Sequence, residues 1–199
     1  ERSISSHKKH AVTDAPDRWG SFCRLGAVVF GRSIMYLGLN TFIVLYFMNH
    51  FHESQNFSNL LLSVYYGIGA LFTLIGGKLG DKHGYRTFVR FGFLLAFPAA
   101  LILAWTDSSI LGILCLIVLG AALNLTYSPM VVLGQQYLPN RVGLASGITL
   151  GLAVSVGGIT APLLGKVGDM YGLETTFYVI ALITLIPLIS SFTLPKPTE

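Results

Sequence analysis

Arg32, Tyr36 and Asn40 recur every four residues in an otherwise apolar run over positions 22–47. On a helix that spacing sets all three on one face. A guanidinium, a phenol and an amide offer recognition rather than bond-making: a planar fork of donors beside two further hydrogen-bonding groups. Arg32 lies eight residues past Arg24, about 12 Å further along a helix rising 1.5 Å per residue. A cation that deep in an apolar span is costly unless it faces a cavity or a partner. None of the nine acidic residues falls within the body of an apolar run, so a partner must come from elsewhere or be an anionic ligand. Two readings stand. Arg32 serves a substrate or coupling ion, or it snorkels to the membrane surface or pairs with an acid outside this stretch. Tyr65, Tyr66, Asn124 and Tyr127 are the other polar groups inside apolar runs, each read as a cavity contact or as an interhelical hydrogen bond.

Nothing in the chain reads as an enzyme. No nucleophile stands beside a base, and the glycines from Gly77 to Gly84 lack the Gly-Lys-Ser/Thr ending of a nucleotide site. His50, His52 and Glu53 have the spacing of a partial zinc site without a further His or Cys nearby, so they read as an exposed loop. His7 and His10 flank lysines in a polar tail. Cys23 and Cys115 both fall in apolar runs, giving neither a disulfide framework nor a metal spacing. No metal and no cofactor is expected.

The elements that position these groups follow from composition. The chain has 199 residues, is 53% hydrophobic and only 11% charged, where a soluble domain carries about 25% charged residues. Six apolar runs approach the roughly 20 residues a membrane helix needs: 22–47, 57–79, 88–105, 110–133, 143–165 and 175–194. Short polar turns join them, which predicts antiparallel neighbours. With the N-terminal tail inside, one face receives Arg18, Arg24, Lys78, Lys82, Arg86, Arg90, Arg141 and Lys196, and the other Lys166 alone. Lys and Arg accumulate on the cytoplasmic side, so both termini are expected there. The bases lie at helix ends rather than on one face, which argues against nucleic acid. Gly143, Gly147 and Gly151 in the fifth run, and Gly69, Thr73 and Gly77 in the second, form small-residue rows suited to close helix packing. Pro129 and Pro162 free backbone carbonyls and are expected to bend the fourth and fifth spans.

The turn between the second and third runs reads Gly77-Lys78-Leu79-Gly80-Asp81-Lys82-His83-Gly84-Tyr85-Arg86. It resembles the cytoplasmic signature loop of the major facilitator superfamily, G-x-L-[G/A]-D-[R/K]-x-G-R-[R/K], and departs from it at Tyr85, where that family has a base. The stretch from Val132 to Gly147, with its Gln-x-x-x-Pro loop from Gln135 to Pro139, followed by Gly157-Gly158-Ile159 and a closing Gly-x-x-x-Asp from Gly165 to Asp169, is similar to the fosmidomycin-resistance branch. The resemblance implies an all-α integral membrane protein, a six-transmembrane-helix half of a major facilitator fold. Residues 1–20 would be a polar cytoplasmic linker, 21–195 the bundle and 196–199 a tail. Glu1 in place of Met suggests a fragment, the C-terminal half.

The branch implies proton-coupled export of a small drug-like substrate by alternating access in the cell membrane, driven by the proton gradient rather than a cofactor. Its partners would be the bilayer, a missing N-terminal half and a small-molecule substrate. Fosmidomycin is a phosphonate, and a guanidinium fork suits such oxygens. Family cavities are lined in this half by the first, second, fourth and fifth spans. Gly77, Gly80, Asp81, Gly84 and Arg86 would bias the access states, with Arg141 and Gly143 receiving the corresponding acid of the other half, and Asp169 a degenerate copy of Asp81 on the outer face. A facilitator for a sugar or other metabolite, and a six-span scaffold that carries nothing, are the alternatives.

Overall fold

The computed structural model describes residues 16–196, and every regular element among them is helical. The first fifteen residues of the expected linker, with His7 and His10, lie outside the described residues. Helix α1 is Trp19–Asn49, α2 Gln55–His83, α3 Tyr85–Trp105, α4 Ser109–Leu125, α5 Tyr127–Tyr137, α6 Val142–Tyr171, α7 Leu173–Ile183 and α8 Leu185–Phe192. They make six membrane-length rods, because α4 with α5 and α7 with α8 are each one interrupted span. A rod of 31 residues such as α1 extends about 46 Å, ample for a hydrocarbon core of about 30 Å.

The interruptions differ from expectation. The fourth span breaks at Thr126, and beyond it α5 runs to Tyr137 rather than stopping at 133. Pro129 has no N–H, so the Leu125 carbonyl one turn back loses its helical donor. That carbonyl lies against Gly76 of α2 so closely that a side chain there would strike it. The sixth span breaks at Thr184, which no sequence reading anticipated; Pro187 follows three residues later, its ring seated on Gly31 of α1. Pro162 interrupts nothing: α6 is continuous to Tyr171, carrying Lys166 and Asp169 within the helix.

The expected signature loop is mostly helix. α2 continues through Gly80, Asp81 and His83, and Gly84 alone, at φ +90°, makes the turn into α3. Positive φ at that value is open to glycine and costly for other residues. Gly172, at φ +89°, makes the same turn between α6 and α7, and in both the turning glycine donates to a glycine four residues earlier, Gly84 to Gly80 and Gly172 to Gly168. Gly80-Asp81 and Gly168-Asp169 thus occupy equivalent turns at opposite ends of the bundle.

Among the spans α1 is the axis. Of its most apolar window 61% is buried, against 22% for α2 and for the fifth span. α1 packs on α6, α7 and α8, while α4 is held between α2 and α3. The small-residue row of α2 closes on α4 and α5, with Gly69 under Asn124 and Gly77 beside Ser128. The row of α6 does the opposite. Gly143, Gly147 and Gly151 meet nothing within 4 Å, so the close packing expected of them has no partner within the described residues.

Bases read as topology markers also hold the chain's end. Arg90 of α3 donates from Nε to Ser191 O at 3.1 Å and from Nη2 to Phe192 O at 2.7 Å, with its guanidinium over the Phe192 ring. Arg24 donates to Thr193 O, Arg18 to Lys196 O, and the Tyr137 hydroxyl to Pro195 O. The last carbonyls of a helix lack intrahelical donors and carry its negative pole, so Arg90 and Arg24 at the end of α8 satisfy both demands, while Arg18 holds the segment beyond it. Replacing Arg90 with Ala removes hydrogen bonds from a charged donor; we expect a loss of about 2 kcal/mol, read as a lowered midpoint in thermal unfolding of purified protein, and only partial recovery in Arg90→Lys.

Candidate functional site

Arg32 is turned inward, with 4% of its surface exposed, so the snorkelling alternative does not hold. Its Nε donates to the carbonyl of Leu123 at 3.0 Å, the guanidinium's only hydrogen bond among the described residues. The flat cation lies over two phenol rings, 5.1 Å from the centroid of Tyr36 and 4.8 Å from that of Tyr127. Such contacts contribute about 2 kcal/mol each when desolvated. No acid pairs with Arg32 among the described residues.

The break at Thr126 explains the acceptor. Leu123 is in the last turn of α4, where carbonyls have no intrahelical donor. It takes one bond from Arg32 and another from the Thr126 hydroxyl at 2.8 Å. The C-terminal pole of α4 is itself partly negative, so an interrupted helix provides a cation site where no carboxylate does.

Arg32 and Tyr36 open onto a cavity of about 380 Å³ whose other walls are Leu37 of α1, Thr73 of α2, Asn124 and Tyr127 of the interrupted span, and Ala153 and Val154 of α6. Sequence spacing left Thr73 in a packing row, yet Tyr65, Gly69 and Thr73 fall every four residues and share a face. Asn124 is mostly committed to the fold: its amide donates to Gly120 O at 2.8 Å and lies against Gly69. Tyr65, 1% exposed, rests against Tyr36 at 6.3 Å between centroids, and its hydroxyl has no partner among the described residues. Asn40 likewise has a buried, unpartnered Oδ1 but does not line the cavity, and Tyr66 points away, 48% exposed. Of the seven expected cavity residues, then, Arg32, Tyr36, Asn124 and Tyr127 share one opening, Tyr65 backs it, and Asn40 and Tyr66 lie outside it.

The turn residues form a separate group at the end of the bundle where the described residues begin and end. Lys78, Lys82 and Arg86 flank Asp81 in the sequence, and none of them pairs with it. Its carboxylate instead accepts from the hydroxyl of Tyr85, the residue that departs from the family pattern, and the Tyr85 ring covers Gly80. Arg86 has a buried Nε without a partner. Arg141 pairs with Asp17 of its own chain at 3.4 Å and lies over Trp19. His50 is not in an exposed loop: it closes α1, stacks on Tyr46 and is bonded on both ring nitrogens. Among the described residues no group of acids, His and Cys forms a metal cluster.

The Arg32 geometry separates stability from purpose. Leu123 O keeps its bond from Thr126 when Arg32 is removed, while the desolvation cost of the charge disappears. We therefore expect Arg32→Met to unfold at an equal or higher temperature. Tyr65→Phe, which deletes an unsatisfied buried hydroxyl, should gain about 1 kcal/mol in the same measurement.

A family model described as Major Facilitator Superfamily matches residues 25–199. The chain is 30% identical over 166 residues to the fosmidomycin resistance protein of Escherichia coli (strain K12), covering 83% of this chain and 40% of that protein. It is 32% identical over 159 residues to the uncharacterized MFS-type transporter YfnC of Bacillus subtilis (strain 168), covering 79% and 38%. The chain therefore spans about two fifths of the length of these curated relatives. Among solved structures, the transporter FucP in its outward conformation superposes with a TM-score of 0.80 at 18% identity, covering 90% of this chain and 43% of that one. A mutant peptide transporter POT in complex with alafosfalin gives 0.81 at 18%, covering 96% and 42%. At such identities the likeness establishes the fold alone.

Proposed function

This chain belongs to the Major Facilitator Superfamily, and on that premise we propose that it is the C-terminal six-helix half of a proton-driven exporter of small anionic drugs of the phosphonate type. The observation that carries the reading is Arg32: a buried guanidinium with no carboxylate among the described residues, held over two phenol rings and bonded at Nε, beside a cavity large enough for a small molecule. A fixed cation with a desolvated fork favours a tetrahedral oxyanion over a neutral solute. The sequence relationship to a fosmidomycin resistance protein supports the substrate class.

The second half of the transporter would cover what this half leaves bare. The exposed face of α2, with Leu71 and Leu74, and the glycine row of α6 both lack neighbours among the described residues. Between those two helices opens the Arg32 cavity, so a facing half would complete its wall. Transport then requires substrate and proton to bind the two access states unequally. The acid that carries the proton would belong to the other half, since none lines the cavity here. The termini would lie in the cytoplasm, where the arginines that grip the end of α8 meet the positive-inside bias.

The test uses the full-length protein in everted membrane vesicles with an imposed pH gradient and a radiolabelled phosphonate. Wild type should accumulate the label and lose it when the gradient is collapsed. Arg32→Met should lower the transport rate at least tenfold, consistent with loss of a charge-assisted hydrogen bond pair, while the protein still reaches the membrane in normal amount. Phosphonate uptake indifferent to both the gradient and Arg32 would overturn the reading, and gradient-independent uptake of a sugar would favour a facilitator.

A further inference from the structure

The end of the bundle away from the termini carries an arrangement that the substrate reading does not use. His50, at the C-terminal end of α1, places Nδ1 2.9 Å from Glu174 Oε1 in the first turn of α7. Its Nε2 is 3.0 Å from the carbonyl oxygen of Thr106, in the turn between α3 and α4, and 3.8 Å from Asp107 Oδ1. The ring is stacked on Tyr46, at 4.9 Å and 10° between planes, and edged by Phe51. Tyr46 is pinned in turn, its hydroxyl donating to Leu103 O at 3.0 Å and its other side lying against Phe177. The imidazole cannot swing away without disturbing that stack.

A carbonyl and an ionised carboxylate only accept hydrogen bonds, whereas neutral imidazole has one N–H and one lone pair. Both contacts hold together only when both ring nitrogens carry protons. We propose that His50 is a proton-operated tie: the imidazolium fastens α1 to α7 and to the α3–α4 turn at once, and the neutral ring can keep only one of them. The titratable groups facing it are Glu174 from α7, Asp107 from the α3–α4 turn and Tyr46 from its own helix; Glu53 is turned aside, accepting from Ser109. A polar opening of about 350 Å³ lined by His50, Glu174, Tyr171 and Gly172 gives the proton a route from solvent.

The direction follows from the donor count. Both contacts are present at a pH low enough to keep the ring cationic while Glu174 is ionised, and one is lost as pH rises and the ring gives up a proton. Glu174 is largely exposed, so the ion pair alone shifts the tied population by about fivefold at most. The tie reaches α7 in its first turn, just past Gly172, so a proton at this end fastens α1 to α7 and to the α3–α4 turn, and its loss releases one of them. This inference does not depend on what the cavity binds.

The experiment uses the full-length protein in lipid vesicles. Solid-state NMR with ¹⁵N-labelled histidine, assigned by His50→Gln, should show both His50 ring nitrogens protonated at mildly acidic pH and one unprotonated at alkaline pH. Spin labels at Leu45 and Ser108, and at Leu45 and Thr175, should give two fixed distances at acidic pH. One of the two should lengthen and broaden as the ring titrates, and that change should be absent in His50→Gln. A ring with one bare nitrogen at every pH, or distances that ignore the titration in wild type, would overturn the proposal. Where the variant fails to fold, the two wild-type spin-label distances still decide it.

Discussion

A positive charge held inside an apolar bundle with no carboxylate beside it is the constraint to which the rest of this structure answers. Taking a guanidinium out of water costs several kcal/mol, and the bundle offsets that with neutral groups alone. Two phenol rings present their electron-rich faces, and the open end of α4 presents a carbonyl and the negative pole of a helix. The acceptor exists because the fourth span is interrupted. In an unbroken helix the Leu123 carbonyl would be committed to the residue four positions on. The break therefore belongs to the site as much as the arginine does.

The break has its own supports. Thr126 returns a hydroxyl to Leu123, and Pro129 leaves Leu125 without its helical donor, while Gly76 lets α2 lie on that carbonyl. The sixth span repeats the device: Thr184 bonds back to Ile180, and the ring of Pro187 sits on Gly31, one residue before Arg32. Bare glycine backbone next to a proline-interrupted helix thus occurs on two sides of the cation. A side chain at Gly31 would strike the ring of Pro187, and one at Gly76 the carbonyl of Leu125.

The two ends of the bundle are built alike and fastened differently. Gly84 and Gly172 make the same left-handed turn. At the end holding the termini, arginines grip the carbonyls of α8 and Tyr85 occupies Asp81. At the opposite end a histidine joins α1 to α7. Permanently charged arginines make a fastening that no physiological pH undoes, whereas an imidazole offers one N–H when neutral and two when cationic. Between the ends, α2 and α6 show apolar or glycine-lined faces with no neighbour among the described residues, while α1 is enclosed.

Much of this was legible in the chain. Six apolar runs predicted six spans, since lipid leaves the backbone no choice but helix. The depth of Arg32 and the absence of any acid in the spans already marked it, and Tyr36 at four residues' remove shared its face by helical period alone. Pro129 announced a disturbed fourth span. The sequence did not say which carbonyl Arg32 would meet, that Asn40 and Tyr66 would miss the cavity, or that Tyr85 would take Asp81. Nor did it say that His50 would find Glu174, 124 residues away. Periodicity and hydropathy are local quantities, set within a few turns of one helix, and they determined spans and faces. Rotation of each helix about its axis, and which distant groups then face one another, depends on packing between helices, and only the tertiary structure decided that.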